Sequence, residues 1–93
     1  MKSVFQEEKK CYFSESPNVH DHHIFNGPFR KKSERYGYKV YLRHDLHIYG
    51  KESVHENPGG KLDTILKRMA QEHFLSHHGS KEDFINEFGK NYL

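Results

Sequence analysis

The spacing of apolar and polar positions changes period several times along the chain, and each change predicts an element. VHDHHIF at 19–25 alternates, so a strand there puts Val19, Asp21, His23 and Phe25 on one face and His20, His22 and Ile24 on the other. His22 and His23 then face opposite ways unless a bulge intervenes. YKVYL at 38–42 is aromatic and β-branched, a second strand suited to pair with the first in a long-looped hairpin. Leu62, Ile65, Leu66, Met69, Ala70 and Phe74 recur at three- and four-residue spacing and predict an amphipathic helix over about 61–76. Ser80-Lys81-Glu82-Asp83 reads as an N-terminal cap, Phe84, Ile85 and Phe88 as an apolar face, and Gly89 as a C-terminal cap, so a second helix follows.

Between these elements the signals are those of turns. Asn26-Gly27-Pro28 predicts a turn and then a basic loop through Lys32, with Ser33 to Gly37 leading into the second strand. The segment 43–57 is interrupted by Gly50 and reads as a short helical turn and a loop, closed by Pro58-Gly59-Gly60. CYFSESPN at 11–18 suits a tight turn, and residues 1–10 read as a weakly ordered start. The expected organisation is one domain over 1–93, with a core region at 11–57 and C-terminal helices at 58–93. Its fold class is α+β, a ββα core plus a C-terminal helical hairpin.

Composition sharpens this picture. At 93 residues, with 33% hydrophobic and 30% charged residues, the apolar core must be thin, and something besides Leu and Val must help to hold it. The single Cys11 excludes an intramolecular disulfide and makes a reducing, cytoplasmic compartment the expectation. Apolar runs reach only two or three residues, so no membrane segment or export signal is expected. A formal charge of +2 is too small to require a polyanionic partner. Its distribution matters more: Arg30, Lys31, Lys32, Arg35, Lys39 and Arg43 share residues 28–43 with the single acid Glu34, which predicts a phosphate-facing surface there.

Nine histidines are the main chemical signal, because imidazole is the commonest protein metal ligand and titrates near neutrality. They fall into His20, His22 and His23 on the first strand, His44 with His47 after the second, and His55. Folding of the hairpin would bring these groups together around a divalent ion, leaving one imidazole as general base. Any one of them taken alone reads more readily as an ordinary surface or core histidine, and only the group points to a metal site. His73, His77 and His78 accompany the amphipathic helix and are left out of the site, while Tyr36, Tyr38 and Tyr41 read as packing residues rather than base-stacking ones.

The string HHIFNGPFRKKSERYGYKVYL, followed by LHIYG, VHEN and FGKNYL, resembles small phage-encoded HNH-type (ββα-metal) nucleases related to recombination-enhancement proteins, over roughly residues 11–93. The resemblance implies a metal-dependent DNA endonuclease or nickase. His22, His47 and His55 would be metal ligands, His23 the general base, and Arg30, Lys31 and Lys32 the contacts to the DNA backbone. The cofactor would be Mg²⁺, Mn²⁺ or Zn²⁺, the partners DNA and a host or phage protein, and the location the host cytoplasm if the chain is phage-encoded. Three departures stand out. Ser14 and Arg43 occupy places where the family carries structural-zinc cysteines, leaving Cys11 alone with His44 as a candidate substitute, and no Asn stands near Gly37-Tyr38, where one braces the family's hairpin. An alternative of another class is a catalytically inactive HNH-derived module that binds DNA or a host protein, and a third is a His-rich metal buffer.

Overall fold

The computed structural model describes residues 2–43 and 60–93, which form a small α+β domain. Its elements are β1 (Val19–His23), a 3-10 turn (Gly27–Phe29), α1 (Arg30–Tyr36), β2 (Lys39–Arg43), α2 (Lys61–His77) and α3 (Lys81–Phe88). The two strands pair antiparallel, from Val19 opposite Arg43 to His23 opposite Lys39, without a bulge, and Ile24 N–H extends the ladder to the Tyr38 carbonyl at 2.9 Å. The period-two pattern of the sequence therefore carries through. His20, His22 and Ile24 share a face with Leu42, Val40 and Tyr38, and Asp21 and His23 take the other.

The expected basic loop is instead a helix. Arg30 to Tyr36 has good helix formers but only one buried residue, Ser33, so no apolar period announces it. Ser33 Oγ accepts a hydrogen bond from Phe25 N–H at 3.1 Å and donates one to the Tyr38 carbonyl, pinning α1 against both arms of the hairpin. Gly37, with φ +74°, ends the helix, and a Cβ there would stand 2.5 Å from the Lys2 carbonyl oxygen. The close approach comes from residues 2–6, the segment read as a weakly ordered start. Val4 N–H bonds the Gly37 carbonyl at 3.0 Å, and Gln6 Oε1 accepts from Tyr41 N–H at 2.7 Å. Tyr12 N–H adds a bond to the Tyr41 carbonyl at 2.8 Å, so this segment covers the outer edge of β2.

The thin aliphatic content is offset by rings. Phe25, Tyr38, Phe74, Phe84 and Phe88 make up half of the buried core, alongside Ile24, Val40, Leu42, Leu66 and Ala70. Phe25 and Phe88 stack with centroids 4.2 Å apart, joining the segment just after β1 to α3. The two C-terminal helices match their sequence signals. α3 opens with a reciprocal capping box between Ser80 and Asp83 and closes on Gly89 at φ +89°. Buried Gln71 on α2 then clamps the tail, donating to Asn91 Oδ1 and accepting from Tyr92 N–H, each at 2.7 Å. Among the described residues no helix is long and apolar enough to cross a membrane.

Candidate functional site

The candidate residues separate according to the faces of β1 and α1. His22 is buried on the core face opposite Val40, whereas His23 emerges on the other face opposite Lys39, as the unbroken register requires. His23 lines an open cleft of about 420 Å³ together with Gly27, Arg30, Lys31 and Glu34. Gly27 keeps one wall of it low: at φ +59°, it has open space where a Cβ would stand.

Helix α1 is short enough that each of its residues can be assigned a direction. Arg30 and Lys31 stand four and three positions before Glu34, and all three share the cleft side. Lys32, Arg35 and Tyr36 form a second side directed at α3, where Lys32 Nζ lies 3.2 Å from Glu87 Oε2, Arg35 3.6 Å, and Tyr36 donates to Glu87 Oε1 at 3.2 Å. These three partners, with Lys32 first, hold the Glu87 carboxyl below its usual range. Of the three cations expected on nucleic acid, Arg30 and Lys31 are therefore exposed at the cleft, and Lys32 is engaged within the fold.

Glu34, which the sequence reading did not assign, and Lys39, counted there among the phosphate-facing cations, complete the cleft's electrostatics. Glu34 Oε1 stands 3.5 Å from His23 Nε2, and Lys39 Nζ lies 2.9 Å and 3.1 Å from the two Glu34 oxygens. Lys39, mainly through its hydrogen bond, holds the Glu34 carboxyl down to about 2, and Glu34 in turn raises Lys39. The available signals were Glu34's position as the lone acid among six cations and the strand register that sets Lys39 beside His23.

His47 and His55, expected as metal ligands, lie outside the described residues, as does His44. Of the expected ligand set the described residues place His22 alone, with its Nε2 buried. Imidazole donors of this kind accept first-row divalent ions, and among the described residues no three His, Cys, Asp or Glu side chains converge on one metal position. Cys11 lies beside Phe13, Ser14 and Arg43. Burial raises the Cys11 thiol, but hydrogen bonds from the Ser14 side chain and from the backbone of Arg43, Ser14 and Phe13 outweigh it and leave it lowered. A turn closed by the Cys11 N–H to the Ser16 carbonyl, at 2.8 Å, holds this arrangement by packing and hydrogen bonding.

His73, outside the expected site, also has a structural role: its Nδ1 is 3.1 Å from the Tyr38 hydroxyl, and burial, followed by His77 and His78, lowers its pKa below the ordinary value. Tyr38 is fully buried beneath it. No protein-family model, curated protein or solved structure matches this chain.

Proposed function

We propose that this chain is a ββα-metal, HNH-like phosphodiester hydrolase that nicks or cuts DNA with the help of a divalent ion. The observation that carries the proposal is the cleft in which one imidazole, His23, stands beside two exposed cations, Arg30 and Lys31. Such a cleft suits a phosphodiester. Arg30 and Lys31 attract and orient the backbone phosphates, giving salt-dependent affinity with little base readout. His23 takes the proton of the attacking water, the task of a general base within hydrogen-bond reach. Because Lys32 is held by Glu87, the cation count on the substrate is two from this helix.

The antiparallel β1–β2 pair supports the ββ half of the expected architecture, while the segment corresponding to its α half, within 44–59, lies outside the described residues. Metal ligation by His22, His47 and His55 is carried by the resemblance. A bound ion there would supply Lewis-acid stabilisation of charge on phosphate and leaving oxygens. One observation favours the second reading, a binding-only module: His22 and His23 leave β1 on opposite faces, so the proposed ligand and base do not share a side of the strand.

Relaxation of supercoiled plasmid by EDTA-stripped protein resupplied with Mg²⁺, Mn²⁺ or Zn²⁺ separates the two readings. Nicking restored by metal and reduced about a hundredfold or more in His23→Ala, with DNA binding retained, is the expected result. Folded wild-type protein that binds DNA but nicks with none of the ions is the binding module.

A further inference from the structure

We infer that Glu34 is a positioning residue for His23: its carboxylate, pinned by Lys39, holds the imidazole with Nε2–H toward Glu34 and leaves Nδ1 as the nitrogen that takes the proton. Its catalytic consequence rests on the hydrolase reading above, while the ring orientation does not. Three elements converge to build the arrangement. β1 supplies His23, β2 places Lys39 directly opposite it, and α1 brings Glu34 over the pair. The neighbouring Ser33 anchors that turn of α1 to both arms of the hairpin, and Lys39 holds the Glu34 carboxylate itself.

The chemistry fixes which form of the ring suits this 3.5 Å contact. An ionised carboxylate can only accept, so an imidazole nitrogen facing it must carry the proton. Glu34, like any carboxyl at or below its ordinary value, is ionised across the neutral range, and Lys39 lowers it further. In neutral His23 the other nitrogen, Nδ1, then bears the lone pair. When the attacking water gives up its proton, that proton goes to Nδ1, and the resulting imidazolium faces a negative charge 3.5 Å away. The His23 and Lys39 side chains are largely buried, at 10% and 16% exposure, while the Glu34 side chain between them is 42% exposed, so solvent partly screens the pair. The sequence carboxylate, imidazole, water is the logic by which a base is oriented in hydrolytic triads, here with a lysine behind the carboxylate.

Glu34→Gln is the informative variant, because it nearly preserves shape. Its amide oxygen would stay with Lys39 at the closer Oε2 position, turning the amide NH₂ toward His23 and demanding an acceptor at Nε2. Long-range ¹H–¹⁵N NMR of histidine-labelled protein, with the His23 signals assigned from His23→Gln, reads the tautomer directly. The expected result is Nε2–H in the wild type and Nδ1–H in Glu34→Gln, with plasmid nicking slowed about a hundredfold or more at unchanged KM for DNA. A wild-type ring already in the Nδ1–H form, or a tautomer indifferent to Glu34→Gln, overturns the inference. A tautomer that flips while nicking by an active wild type is unchanged overturns the catalytic role of Glu34. If the wild type cuts nothing with any ion, the hydrolase reading fails instead, whatever the tautomer shows.

Discussion

Replacing Ser33 by alanine removes a hydroxyl that joins three parts of the fold, and its cost can be worked out group by group. Ser33 is fully buried, and its Oγ accepts from Phe25 N–H while donating to the Tyr38 carbonyl. The Tyr38 carbonyl retains the Ile24 N–H at 2.9 Å, so its loss is one hydrogen bond, worth about 1 kcal/mol. Phe25 N–H is left buried without its acceptor, which costs about 1–3 kcal/mol. Alanine recovers roughly 0.5 kcal/mol as the better helix former. The balance is about 1.5–3.5 kcal/mol of destabilisation, a large share of the roughly 5–14 kcal/mol expected of a chain this size. Urea unfolding followed by far-UV circular dichroism should show the midpoint falling by about 1–3 M at an unchanged slope of about 1–2 kcal/mol/M. A loss below about 0.5 kcal/mol would refute the pinning of α1 through Ser33, because an exposed hydroxyl costs no more than that.

Further predictions concern charge. In Lys39→Met the Glu34 carboxyl should rise from about 2 toward its ordinary 4.5, read by ¹³C NMR titration; a value that stays low would show that Lys39 is not the cause. Arg30→Gln and Lys31→Gln should each reduce the slope of log K against log salt for DNA binding by about one, while Lys32→Gln leaves it unchanged, because Lys32 is committed to Glu87. Fluorescence anisotropy with labelled duplex would measure all three slopes, and equal effects at all three positions would contradict the division of α1. His73 has a folded pKa below the unfolded value, so the unfolded state binds its proton first on acidification. Its contribution to stability is complete above pH 6.5 and is lost as pH falls through the lower folded value, so the drop in urea midpoint between pH 7.5 and 5 should be smaller in His73→Gln.

Elements governed by a hydrophobic period were legible in the sequence, and those governed by single hydrogen bonds were not. The alternation at 19–25 and the spacing from Leu62 to Phe74 both reflect apolar faces seeking one core, so β1, its partner strand and α2 followed from pattern. Ser80 and Gly89 were readable because caps act through local backbone chemistry. Helix α1 escaped notice because its only buried residue is a serine, whose partners, Phe25 and Tyr38, become neighbours only after the hairpin closes. The same reason hid the destination of Lys32: Glu87 lies 55 residues further along, and no local pattern links them. In the cleft, His23, Arg30 and Lys31 could be named from residue type and order. Glu34 could be noticed as an isolated acid but not given a partner until the strand register set Lys39 against His23.

The cleft owes its shape to the way α1 is held on every side but one. Ser33 fixes it to the hairpin, Gly37 ends it against residues 2–4, and the Lys32, Arg35 and Tyr36 side is drawn to Glu87 of α3. A helix of seven residues is too short to be stable alone, so its orientation is set by these contacts rather than by its own propensity. What remains outward is the side carrying Arg30, Lys31 and Glu34. The aromatic core contributes from below: Phe25, the last core residue before the turn, stacks on Phe88 of α3, while its own backbone N–H is the group that Ser33 holds. A change at the α3 end is therefore transmitted to the cleft through two routes, the ring stack and the Glu87 ion cluster. Cutting one route, as in Glu87→Gln, should leave the His23–Glu34 contact in place, because Ser33 still anchors the turn. Combining it with Ser33→Ala should cost more than the sum of the single changes, since the first anchor masks the loss of the second.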